Sequence, residues 1–156
     1  MDNKAKQEQA THPQRALWMQ ELAQSSLKTL QALAATVSSW PDYQVLEGPA
    51  IGTILIHGPI AGNGGTFPVG DCTITRCRVQ DSHGHEGFSW ILGQQPEIAL
   101  WAARWDALLQ NPEQLAVHWD TSIRQLRQER RQREQDTVST MQKTQVRFFS
   151  MENMRT

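Results

Sequence analysis

Apolar positions recur at helical spacing through the first forty residues, after a lead-in that shows no period. Residues 1–11 are polar and aperiodic and read as a disordered lead-in. Thr11-His12-Pro13 has the form of a helix start, with Pro13 near the first helical position, where its missing N–H costs nothing. Leu17, Trp18 and Leu22, flanked by Ala16 and Ala23, form one apolar stripe. Ser25-Ser26 breaks that stripe and can cap a second helix, on which Leu27, Leu30, Leu33 and Val37 share a face. The pattern predicts a helical hairpin that ends by Trp40-Pro41, because a residue before proline avoids the α region.

The period then shortens. Tyr43–Glu47 and Ile51–His57 read as short strands separated by Gly48-Pro49, and a glycine-rich loop runs from Gly58 to Gly70-Asp71. Cys72–Val79 reads as a strand with Thr73, Thr75, Cys77 and Val79 on one face. Asp81 to Gly87 is turn chemistry. Phe88, Trp90 and Leu92 alternate with Ser89 and Ile91, which predicts a strand burying its aromatic-rich face. Four strands in succession with short links predict an antiparallel meander.

The last third is helical again. Pro96 opens a helix carrying Ile98, Trp101, Trp105, Leu108 and Leu109 on one stripe. Asn111-Pro112 interrupts and recaps it, and Leu115, Trp119, Ile123 and Leu126 continue the apolar face. Arg127 to Gln135 has no large apolar residue, and Val146-Arg147-Phe148-Phe149 returns to apolar character after a polar spacer. The expected fold is α+β: an N-terminal helical hairpin, a four-stranded antiparallel sheet, C-terminal helices and an apolar tail. Residues 12–151 form one domain on this reading, followed by a tail at 152–156.

Composition narrows the classes. Fifteen Lys and Arg against sixteen Asp and Glu leave a net charge of −1, which argues against bulk electrostatic binding of nucleic acid. The apolar runs are a few residues long, far short of the ~20 that span a bilayer. No secretory h-region is visible, and two Cys make no disulfide scaffold. A cytoplasmic protein with no membrane partner is expected.

The candidate chemistry is sparse. Gly62, Gly64 and Gly65 either supply backbone N–H groups as an anion-binding nest or give a long loop its positive φ angles. The following Thr66-Phe67-Pro68 matches neither a P-loop nor a dinucleotide loop, each of which leads into a helix. Gly70-Asp71 opens a strand, and Arg76, five residues on, projects from the opposite face as a surface, ion-pair or anion-binding group. His83-Gly84-His85 has metal-like composition but no third ligand at a usual spacing, so no metal site is expected. Arg124, Arg127, Arg130, Arg131 and Arg133, with Glu129 and Glu134 interleaved, read as a solvated helix, a basic partner surface or, against the pairing and the lack of stacking aromatics, a nucleic-acid contact. Six Trp stand against one Tyr. Trp18, Trp101, Trp105 and Trp119 on helical stripes either fill the core or, with Phe148-Phe149, form a subunit interface.

Arg15-x-x-Trp18-Met19, Gly62-x-Gly64-x-x-Phe67-x-x-Gly70-Asp71-x-Thr73-x-Thr75-Arg76, Gly87-Phe88-Ser89-Trp90-x-Leu92-Gly93, Asp106-Ala107-Leu108-Leu109-Gln110 and Val146-Arg147-Phe148-Phe149-Ser150-Met151 follow in order. In combination they resemble the PhnG family, the G subunits of the bacterial carbon–phosphorus lyase core complex. The resemblance implies an accessory subunit acting with I, H and J types, and transiently with the L protein, in phosphonate catabolism. It implies participation in displacing adenine from MgATP by an alkylphosphonate, giving a ribose 1-alkylphosphonate 5-triphosphate. MgATP is then the substrate of the complex, with no cofactor on this chain and no catalytic residue in it. An alternative is that Asp71, Arg76 and the glycines Gly62, Gly64, Gly65 and Gly70 form one wall of the anionic site; another is a stand-alone binding module with a basic helix. The matching segments add Ser89, Trp90 and Arg147 to the interface candidates. Gln94 departs from the Leu-Gly-Arg that family members often carry.

Overall fold

The computed structural model of the chain describes residues 13–59 and 65–143. The expectations for the lead-in, for Gly62 and Gly64, and for Arg147, Phe148 and Phe149 fall outside those residues. The fold is α+β. Helices α1 (Pro13–Ala23) and α2 (Leu27–Ala34) precede strands β1 (Tyr43–Pro59), β2 (Thr66–Asp81) and β3 (Glu86–Leu92). Helices α3 (Pro96–Leu109) and α4 (Pro112–His118) follow, then a π-helical turn at Trp119–Ile123 and helix α5 (Arg124–Lys143).

Local chemistry sets the helix starts. Ser26 accepts a hydrogen bond from Thr29 N at 3.1 Å, and Asn111 accepts one from Glu113 N at 2.9 Å, so both caps satisfy an otherwise orphaned N–H. The front of the chain differs from the expected hairpin. Helices α1 and α2 each pack chiefly on α3 rather than on one another. Trp18 and Leu22 from α1, and Leu30 and Leu33 from α2, meet Trp105 and Leu109 of α3 in one core.

The sheet has three strands, in the order β1-β2-β3, not four. Tyr43–Glu47 and Ile51–His57 belong to a single strand, because Gly48-Pro49 makes a bulge instead of a turn. Extra residues on β1 between Val45 and Glu47, and between Glu47 and Ala50, shift the register without ending the pairing. Gly48 has φ 78°, and a Cβ on it would stand 2.5 Å from the Arg76 carbonyl oxygen. A bulge is also a place where a strand tolerates proline.

Strand β2 behaves as its pattern predicts from residue 75 onward. Thr75, Cys77 and Val79 face the helices and are buried, while Thr73 is exposed. Strand β3 is inverted relative to expectation. Its buried positions are Gly87, Ser89 and Ile91, whereas Trp90 and Leu92 are 56% and 69% exposed. Helix α3 causes the inversion, since it presents Ala99, Ala103 and Ala107 to the strand. A Cβ on Gly87 would overlap the Ala103 carbonyl oxygen and lie 2.7 Å from Ala107 N. Ser89 Oγ fits in the same seam and donates to the Ala99 carbonyl at 2.7 Å. Only small residues fit at positions 87 and 89, and with Ile91 on the same inner face the alternate residues Trp90 and Leu92 turn outward.

Strand β3 pairs with β2 from Ile74 to Gln80 only. Beyond Ile74, β1 and β2 continue as a two-stranded ribbon past the helical layer. There Leu55, Phe67 and Val69 are 57%, 46% and 61% exposed. Helix α5 is anchored by Leu126, just after the buried Ile123 of the π-helical turn, and every residue from Arg131 to Gln142 is exposed.

Candidate functional site

The glycine-to-arginine segment lies along the ribbon and the outer face of the sheet. Gly65, Gly70 and Asp71 are exposed, and Asp71 pairs across from Leu55. From Asp71 to Arg76 strand β2 keeps one-to-one register with β1, so these two side chains project from opposite faces and do not meet. Arg76 is half exposed, and its guanidinium lies 3.0 Å from Glu47 Oε1 on the neighbouring strand. Beside it, Arg78 stands 4.0 Å from Glu86.

The aromatic candidates separate into three environments. Trp18 and Trp105 are core residues of this chain, at 0% and 1% exposure, and Ser89 is enclosed with them. Trp101 and Trp119 are half-buried and pack against that core. Trp90 stands open on the outer sheet face, beside Arg76 in register.

The histidine-rich turn is organised by a carboxylate. Asp81 is buried and accepts from His83 N at 2.9 Å, His85 N at 2.8 Å and the His85 ring at 2.9 Å. Among the described residues, no group of three or more His, Cys, Asp or Glu could hold a metal ion. Cys72 and Cys77 lie on opposite faces of β2, and burial pushes the Cys77 thiol pKa up, away from reactive thiolate. The arginine run is largely engaged within the chain. Arg127 and Arg130 converge on Glu21, Arg124 pairs with Asp120, and Arg133 donates to the Gln24 carbonyl.

Two buried carboxylates were not among the sequence candidates. Asp106 is fully enclosed. Its Oδ1 accepts from Trp18 Nε1 at 2.8 Å and Arg15 Nε at 3.1 Å; its Oδ2 accepts from Arg15 Nη2 at 2.7 Å and Phe88 N at 2.8 Å. Arg15 also donates to the Glu86 carbonyl and lies over the Phe88 ring. This carboxylate therefore ties α1, β3 and α3 together. The signal was present: Asp106 interrupts an apolar stripe, and Arg15 and Trp18 sit three apart on one helix face. Glu21 is the second, 3% exposed at the junction of α1 and α5. Burial raises its pKa, but hydrogen bonds and charge from Arg130 and Arg127 outweigh that, so the carboxyl ends below its ordinary value.

A third cluster lies where the start of β1 meets α3. The Arg104 guanidinium lies over Tyr43 at 5.6 Å and over Trp101 at 5.4 Å, and Trp40 packs against Tyr43, Trp101 and Trp105. Tyr43 donates to the Arg104 carbonyl at 3.2 Å. Burial, then the Asp81 charge, raise the Tyr43 pKa well above the ordinary phenol value, so it stays a neutral donor.

No described helix is long and apolar enough to cross a membrane. The family model "Phosphonate metabolism protein PhnG" matches residues 13–154. A curated relative, the alpha-D-ribose 1-methylphosphonate 5-triphosphate synthase subunit PhnG of Rhizobium meliloti (strain 1021), is 30% identical over 155 residues, covering 97% of this chain and 96% of the relative. With its motifs in family order and the match running from α1 to beyond α5, this chain belongs to the PhnG family of phosphonate metabolism proteins.

Proposed function

We propose that this chain is a non-catalytic, assembly-forming subunit of an α-D-ribose 1-methylphosphonate 5-triphosphate synthase. It acts with the I, H and L components as an alkylphosphonate displaces adenine from MgATP, and it docks through the β1–β2 ribbon and the adjoining outer sheet face. The observation that carries this reading is apolar exposure on both sides of the sheet: Ile51 and Leu55 on the face of Thr75 and Asp71, Trp90 and Leu92 on the opposite face with Arg76, and Phe67 and Val69 on the ribbon are each between 46% and 69% exposed. Soluble chains seldom leave so many large apolar side chains in water, and a bare two-stranded ribbon is marginal by itself.

The polar groups point the same way. Glycosyl transfer needs a polarised leaving base and charge stabilisation at the anomeric carbon. Asp106, Asp81 and Glu21 are committed to contacts inside the fold, and Arg76 faces Glu47. The chain's contribution is then to complete the assembly rather than to perform the displacement.

The test is reconstitution. The I, H and L components are mixed with methylphosphonate and MgATP, with and without this chain, and the triphosphate product is followed by phosphorus NMR. Product is expected only when the chain is present, and Arg76→Ala is expected to support full turnover. An Arg76→Ala chain that assembles fully yet gives no product would contradict the reading and place this residue in the anionic site.

A further inference from the structure

We infer that Arg104, held between Tyr43 and Trp101, is a receptor for one carboxylate side chain of a partner subunit, at a contact separate from the ribbon. This inference rests on the reading of the chain as an assembly subunit and adds a second docking point, with its chemistry.

The cluster is incomplete as it stands. Arg104 lies over two aromatic faces, but among the described residues no carboxylate comes within 4 Å of its guanidinium and no side-chain or backbone acceptor takes a bond from it. Its Nε is enclosed and has no hydrogen-bond partner. Asp81, which pairs with Tyr43 across β1 and β2, is already filled by its own turn. Arg15, Arg76, Arg124, Arg127 and Arg130 have found carboxylates, and Arg78, whose Nε is likewise enclosed without a partner, still has Glu86 at 4.0 Å, a neighbour that Arg104 lacks among the described residues.

The surroundings favour a carboxylate over a polyphosphate. The cluster offers one positive charge framed by indole and phenol rings, and Trp40, Tyr43, Trp101 and Arg104 are all half-buried at the surface. A triphosphate calls for several cations, whereas one guanidinium matches one carboxylate, bidentate and planar. Arg and Trp around a half-enclosed centre also form the typical high-energy core of an interface, with the rings excluding water from the ion pair. The two flanking rings confine the guanidinium, which lowers the side-chain entropy lost on docking.

The experiment is arginine modification by phenylglyoxal, read peptide by peptide by mass spectrometry, on the free chain and on the reconstituted assembly. Arg104 is expected to react in the free chain and to be protected in the assembly. Equal reactivity in both would overturn the inference while leaving the subunit reading intact. Failure to assemble at all would remove the subunit reading, and this inference falls with it. Inorganic triphosphate added to the free chain is the control: protection by triphosphate alone would overturn the carboxylate assignment. Arg104→Met gives the matching affinity measurement, with folding checked by circular dichroism. Assembly is expected to weaken by about 30-fold, the size of a truncated hot spot. If that variant does not fold, the protection result decides the matter.

Discussion

Replacing Asp106 by alanine removes four acceptor contacts at once and leaves their donors in place. Trp18 Nε1 lies inside the core and cannot turn to water, and Phe88 N is held by the β3 backbone. Arg15 is 26% exposed at its side chain and can partly rehydrate. Two unmade donors at about 1–3 kcal/mol each, plus the lost charged contact, give roughly 4 kcal/mol. That falls within the ~3–5 kcal/mol of breaking a buried ion pair from one side. For a chain of this length it corresponds to a fall in Tm of roughly 10 °C. Asp106→Asn keeps the shape but sets an NH2 against donors, so it is expected to recover little. The assay is urea unfolding followed by tryptophan fluorescence, in which the midpoint should fall at unchanged slope. A loss under ~1 kcal/mol for Asp106→Ala would refute the view that this carboxylate locks α1 to β3 and α3.

Other expectations follow from named contacts. The Glu21 carboxyl is ionised more readily in the folded chain than in the unfolded one, so its contribution is present at neutral pH and is lost as pH falls below the ordinary carboxylate range. Glu21→Gln should therefore destabilise the chain at pH 7, with the gap to wild type beginning to close only as pH falls below about 4, as read by urea midpoints across pH. Burial lowers the His118 pKa, and its ring packs edge-on to Trp105, so it resists protonation in the fold. His118→Phe should flatten the part of the stability loss that begins as pH drops below ~6.5. Gly87→Ala forces a methyl group into the α3 backbone and is expected to cost at least ~1–3 kcal/mol in thermal or urea unfolding. Glu47→Ala removes only an exposed ion pair and should shift stability by less than ~1 kcal/mol.

The helices were legible because their signals are local. Ser26, Asn111 and Pro13 mark starts that depend on neighbouring residues alone. The sheet was less legible because its outcome depends on what packs against it. Alternation along β3 gave the right element with the wrong face, since a hydrophobicity pattern assumes that large side chains point inward. The correct face was encoded in two places at once: Gly87 and Ser89 on the strand, and Ala99, Ala103 and Ala107 spaced four apart on α3. Gly48-Pro49 likewise reads as a turn in isolation and becomes a bulge only because β2 is long enough to pair on both sides. The family was readable from motif order. The load on individual motif residues was not: Arg15, Trp18 and Asp106 come from distant segments, and their shared hydrogen bonds exist only once α1 lies on α3.

The most direct measurement is mass by light scattering after size exclusion, on the chain alone and with its I-type partner, for the wild type and for Leu55→Asp with Phe67→Asp. The account predicts a stable mixed complex for the wild type and none for the ribbon variant, which keeps its fold because both positions are exposed. A wild-type chain that stays a clean monomer beside the I-type partner, or a ribbon variant that assembles as well as the wild type, would contradict it.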